Sequence, residues 1–107
     1  MSFNQRQSNR VNVSFPIQIS FGSQITLQGY LKDLSLKSAF IHLKNSIYMQ
    51  LNDELNFHIE SPHVDPPANI QGTARISRIA GGEGIAIYFV KMDEQSSKHL
   101  EQLVGVM

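Results

Sequence analysis

The chain has 107 residues, 41% of them hydrophobic and 17% charged, which suffices for one domain with one core and leaves no room for a second. Its formal net charge is zero, so the molecule as a whole offers no field to steer a nucleic-acid polymer or an anionic membrane. It contains no cysteine, which excludes disulfides, thiolate catalysis and cysteine-ligated zinc or iron–sulfur sites.

Residues 1–10 form a polar arm whose charged side chains are Arg6 and Arg10; the first acid is Asp33. The arm does not resemble a signal peptide, and no apolar run is long enough to span a bilayer, so a cytoplasmic protein without membrane insertion is expected. From Val11 to Phe21 the odd positions Val11, Val13, Phe15, Ile17, Ile19 and Phe21 alternate with polar residues and Pro16, the period-two pattern of a half-buried strand. Pro16 falls on the polar face, where a missing amide hydrogen is tolerated at an edge or a bulge. Gly22-Ser23 is a hairpin signal, and Ile25, Leu27 and Leu31 continue a weaker alternation in a second strand over residues 24–32.

Residues 33–38 read as a polar turn, and residues 39–43 as a short apolar third strand. Leu55, Phe57 and Ile59 mark a fourth strand ending at Ser61-Pro62, with Pro66-Pro67 closing the loop after it. Residues 68–79, with Ile70, Ala74 and Ile76 on one face, and residues 85–90 form a hairpin about Gly81-Gly82-Glu83-Gly84. Asp93 caps a helix start, and Leu100, Leu103, Val104 and Met107 give that helix one apolar face. The predicted fold is therefore mainly β: a six-stranded antiparallel β-barrel over residues 11–107 with one C-terminal α-helix packed on it, preceded by the arm.

Little in the chain suggests catalysis. His42, His58, His63 and His99 are scattered over strands, loop and helix without a metal-ligand spacing, and no nucleophile elbow sets a serine beside a base. No metal, no cofactor and no enzyme activity are expected. The glycines at 81–84 lack the Lys-Ser or Lys-Thr of a phosphate loop and precede a strand, so they read as a turn.

Arg6 and Arg10 stand four residues apart just before the first strand, so they can converge on one anion. By strand parity Arg10 belongs with Asn12 and Ser14 on the exterior. Guanidinium groups bind phosphate oxygens bidentately and stack on purines. A second cluster, Asp33-Leu34-Ser35-Leu36-Lys37-Ser38, offers a carboxylate, hydroxyls and turn amides that can read a guanine edge or hold an arginine.

Together the two clusters resemble the PilZ domain family. Arg6 to Arg10 reproduces its RxxxR motif, Asp33 to Ser38 its [D/N]xSxxG motif, and Gly84-Ile85-Ala86-Ile87-Tyr88-Phe89-Val90-Lys91-Met92-Asp93 looks like its last strand running into its helix. The resemblance implies a cyclic di-GMP receptor whose ligand lies outside the barrel. It further implies that Arg6 and Arg10 contact phosphate and guanine as the arm folds over the ligand, and that Asp33, Ser35 and Ser38 supply the turn. Ser38 stands where the family has glycine, which strains the backbone if a positive φ is needed there, and Gln5 removes one further cation before the motif. One bound ligand and an intercalated pair both remain open. Arg75 and Arg78, on the fifth strand, are candidates for an additional stacking surface.

The resemblance also implies a separate downstream protein partner and, by family analogy, a role in motility, exopolysaccharide or biofilm control. The alternative is a PilZ-like protein-interaction module that binds no ligand. A nucleic-acid-binding barrel is disfavoured because Phe15 and Phe21 face inward by parity rather than lining a basic exterior face.

Overall fold

Period-two patterning in the sequence becomes a closed ring of strands in the computed structural model, which describes residues 10–21, 25–43, 49–61 and 68–105. The elements are β1 (Val11–Asn12), β2 (Pro16–Phe21), β3 (Ile25–Leu34), β4 (Ser38–His42), β5 (Glu54–Ser61), β6 (Ala68–Ala80), β7 (Gly84–Met92) and α1 (Glu94–Val104). All pairings are antiparallel, in the order β1-β3-β2-β5-β6-β7-β4, and β4 pairs back onto β3. Six strands thus close a barrel, and β1 is an extra strand on the far end of β3. Closure removes the open sheet edges that would otherwise seek partners.

The first predicted strand is interrupted. Between Asn12↔Asp33 and Pro16↔Tyr30 the pairing against β3 slips by one residue, dividing it into β1 and β2. The Val13 amide still donates to Lys32 O at 3.1 Å, and Phe15 O accepts from the Leu31 amide at 2.8 Å, so the interruption is a bulge rather than a break. The second strand runs two residues further than its pattern indicated, through Asp33 and Leu34, which reduces the turn to residues 35–37. Ile25, expected on the inner face, is exposed at the start of β3. The Gly22-Ser23 turn, the Pro62 to Pro67 loop, His63 and Met107 lie outside the described residues.

Inward positions fill the barrel with Ile17, Ile19, Leu31, Leu34, Ile41, Leu55, Phe57, Ile59, Ile70, Ile76, Ile85 and Ile87, all buried, while Phe57 and Phe89 meet at 5.1 Å between ring centroids. Phe15 and Phe21 are half-buried against this core, as their parity required. Gly84 closes the β6–β7 hairpin at φ 153°, and a Cβ built on it would lie 1.9 Å from the Ile41 carbonyl oxygen. Only glycine allows β4 to approach so closely.

The helix covers an edge left by unequal strand lengths. Because β7 ends at Met92, opposite Gly72, the start of β6 is paired with β5 on one side and has no strand on the other. There the Gln71 amide donates to Ser96 Oγ at 3.1 Å and the Asn69 amide to His99 Nδ1 at 3.0 Å. Side chains three apart on α1 replace strand partners two apart on β6, with Leu100 and Val104 buried beneath. Asp93 caps the helix by accepting from the Ser96 amide at 2.7 Å, and this hydrogen bond, the largest influence on it, holds its carboxyl below the ordinary value of 3.8. Gly105 ends the helix at φ 73°. None of the described helices is long and apolar enough to cross a membrane.

Gly84→Ala should lower the free energy of unfolding by about 3 kcal/mol or more, read from urea titration, because clash and backbone strain add. Asp93→Ala should lower the thermal midpoint at neutral pH. The folded protein binds the Asp93 proton less tightly than the unfolded chain does. The cap's contribution is therefore complete above pH 3.8 and lost as pH falls through the depressed folded value, so wild type and variant should converge in strongly acidic buffer.

Candidate functional site

The exterior of β3, β4, β7 and β6 gathers most of the residues singled out from the sequence. Arg10 immediately precedes β1, whose pairing with Leu34 and Asp33 delivers it beside the turn. Its Nε and Nη2 both donate to Asp33 Oδ1, at 3.1 and 2.9 Å, and its Nη1 donates to Ser38 Oγ at 3.0 Å. The ion pair is partly exposed, the two side chains retaining 42% and 30% of their accessible surface. Exposed pairs of this kind contribute about 0 to 1 kcal/mol, so the contact orients the guanidinium more than it stabilises the fold. Three of its five N–H donors are used, leaving one on each Nη uncommitted among the described residues.

Asp33 reaches the exterior through a bulge. Gly29 and Leu31 face inward on β3, and strict alternation would send Asp33 inward too. The pairing with β4 slips between Leu31↔Ile41 and Asp33↔Phe40, leaving Lys32 as the extra residue. Leu34 is thereby buried and Asp33 turned outward.

Ser35 has a different place from its neighbours. It is only 1% exposed, and its hydroxyl accepts from the amides of Lys37 at 3.3 Å and Ser38 at 3.1 Å while lying 3.2 Å from Ser38 O, to which it donates. These amides, read from the sequence as available to a ligand, are consumed by the turn itself. A backbone bond from Ser35 N to Ser38 O at 2.8 Å closes it, and Lys37 O accepts from the Phe89 amide at 2.8 Å, tying the turn to β7.

Ser38 carries no backbone strain: among the described residues Asn52 is the sole non-glycine at positive φ. The concern that a side chain at position 38 opposes the backbone is therefore removed, and the hydroxyl instead gives Arg10 its third contact.

Two rows of outward side chains extend from this cluster. One crosses Ser38, Tyr88, Arg75 and Glu54, and the other Asp33, Phe40, Ala86 and Arg78. Arg75 and Arg78, three apart on one strand, share the exterior because a bulge at Ser77 shifts the pairing between Ile76↔Ile87 and Arg78↔Ala86. Their roles differ. Arg75 is held by Glu54 at 3.3 Å and by Asn52 O at 3.1 Å, whereas the Arg78 guanidinium lies over the Phe40 ring, 5.6 Å from its centroid. The sequence reading missed Phe40 and Tyr88 here; strand register is what reveals them. Arg6 lies outside the described residues. No group of three or more metal-ligating side chains occurs among the described residues.

The PilZ domain family model matches residues 4–105. Among solved structures, the Bacillus subtilis inhibitor of motility, MotI/DgrA, superposes with a TM-score of 0.80 at 16% identity, over 92% of this chain and 49% of that one. The PilZ domain of CeSA from a cellulose-synthesizing bacterium superposes with a TM-score of 0.67 at 20% identity, over 92% and 96% of the two chains. At these identities the likeness shows the fold, and this chain spans about half the length of the motility inhibitor. The comparison with curated proteins finds no match.

Ser35→Ala should cost about 1 to 3 kcal/mol in urea unfolding, since it removes the buried hydroxyl that accepts from two part-buried turn amides.

Proposed function

The chain belongs to the PilZ domain family, whose role is cyclic di-GMP binding, and from that premise we propose that it is a receptor for this dinucleotide, acting on a separate protein partner rather than catalysing a reaction. The observation that carries the reading is the Arg10 guanidinium, held over the exterior by Asp33 and Ser38 with an N–H on each Nη uncommitted among the described residues. Such a fork suits phosphate oxygens or the O6/N7 edge of guanine. In this reading Arg6 joins Arg10 in closing over the ligand. Asp33 and Ser38 orient Arg10, Ser35 keeps the shape of the turn, and Arg78 on Phe40 offers a stacking surface. Arg75, already paired, contributes less than Arg78.

The bond between Lys37 O and Phe89 N supports an effector role, because it connects the turn to the strand that leads into α1. The structural likeness to an inhibitor of motility supports a protein partner in motility control. Biofilm control is the wider family expectation.

Calorimetric titration with cyclic di-GMP tests this, with GMP as the control. The wild-type chain should bind the cyclic dinucleotide saturably and give no comparable heat with GMP. Arg10→Ala should raise Kd by roughly tenfold to a hundredfold, the range for losing hydrogen bonds to a charged group. Arg6→Ala/Arg10→Ala should abolish measurable binding with the unfolding midpoint unchanged. No heat and no thermal shift at near-millimolar ligand would leave a PilZ domain that works through protein contacts alone.

A further inference from the structure

We propose that Tyr88 is the aromatic platform on which this site seats a guanine base; the inference rests on the cyclic di-GMP reading above. A solitary exposed tyrosine is ordinary on a protein surface. This one is placed by register: its cross-strand partner on β4 is Ser38, the residue that holds Arg10 Nη1. Side chains so paired have Cβ atoms about 5 Å apart, so a base lying on Tyr88 comes within reach of the spare N–H groups of Arg10.

The ring is also available. Tyr88 is 39% exposed, and among the described residues neither an aromatic ring nor a cation packs on its face. Arg75, its partner on the other side, is drawn away to Glu54 and Asn52 O. Phe40, the other aromatic in the two rows that extend from the Arg10 cluster, is 9% exposed and already lies under Arg78. Of the two rings, Tyr88 is the one that offers a face to a ligand. Tyrosine suits the task because its rigid ring gives contact area at little cost in rotamer entropy, and guanine offers a broad π-face.

The composition supplies a direct probe, since the chain has three tyrosines and no tryptophan. In a Tyr30→Phe/Tyr48→Phe protein all tyrosine emission comes from Tyr88. Its fluorescence should be quenched by cyclic di-GMP with the same midpoint that calorimetry gives. By calorimetry Tyr88→Ala should weaken binding about tenfold or more, while Tyr88→Phe should stay within about twofold of wild type because it keeps the ring. Wild-type binding with Tyr88→Ala equally tight, or with Tyr88 emission unchanged at saturation, overturns this inference alone. Failure of the wild-type chain to bind overturns the receptor reading and this inference with it.

Discussion

A β-strand turns successive side chains to opposite faces, so a barrel with a continuous apolar interior dictates which residues reach its outer wall. On β3 that rule assigns Asp33 to the interior with Gly29 and Leu31, and on β6 it assigns Arg78 to the interior with Ala74 and Ile76. Each strand escapes by one extra residue, Lys32 in the first and Ser77 in the second. The slip on β3 exchanges Leu34 inward for Asp33 outward; that on β6 sends Ile79 back toward the core and Arg78 out. Without these bulges, carboxylate and guanidinium would be buried without the pairing that makes a buried charge tolerable. The Arg10 anchor, the Arg78–Phe40 contact and the exterior row from Asp33 to Arg78 follow from them.

The turn between β3 and β4 joins this wall to the core. Ser35 is buried, so the turn's shape is set from inside by a hydroxyl that satisfies backbone amides, while the outer residues Asp33 and Ser38 stay available to Arg10. Leu36 packs against the core from the same turn, and Lys37 O is bonded to β7. A change in the load on Arg10 therefore bears on a segment whose inner contacts are fixed, and β7 carries the same backbone onward to Asp93 and α1. In the receptor proposed above, that continuity connects the ligand side of the barrel to the helix.

The strands were legible because the core is apolar and the exterior polar. Leu55, Phe57 and Ile59 on β5 and Ile70, Ala74 and Ile76 on β6 declare their faces from spacing alone, and the helix does so through Leu100 and Val104. The pairing of Arg10 with the Asp33 to Ser38 segment could be read only from family resemblance, since no local pattern says that residues 23 and 28 positions apart will meet. Bulges are harder still: Arg75 and Arg78, three apart on one strand, cannot share a face without one, yet spacing does not say where the extra residue falls. The capping of the β6 edge by Ser96 and His99 depends on β7 ending at Met92, a property of two strands at once.

Ser38, read from the sequence as standing where the PilZ motif has glycine, bears on the energetics of the Arg10 cluster rather than on its shape. Glycine at this position would leave Arg10 with its two bonds to Asp33; serine, in ordinary extended backbone, adds a third. A guanidinium already oriented loses less rotamer freedom when a phosphate or base arrives, because part of that ordering has occurred in the free protein. The opposing effect is that donors engaged by Asp33 and Ser38 must be kept or exchanged without loss. With one N–H on each Nη spare among the described residues, a bidentate acceptor can be taken on while all three existing bonds persist. In the proposed receptor the arrangement suits a ligand added to the Arg10 cluster rather than one that displaces its partners, and the Ser38–Tyr88 row is the side that carries an exposed aromatic ring.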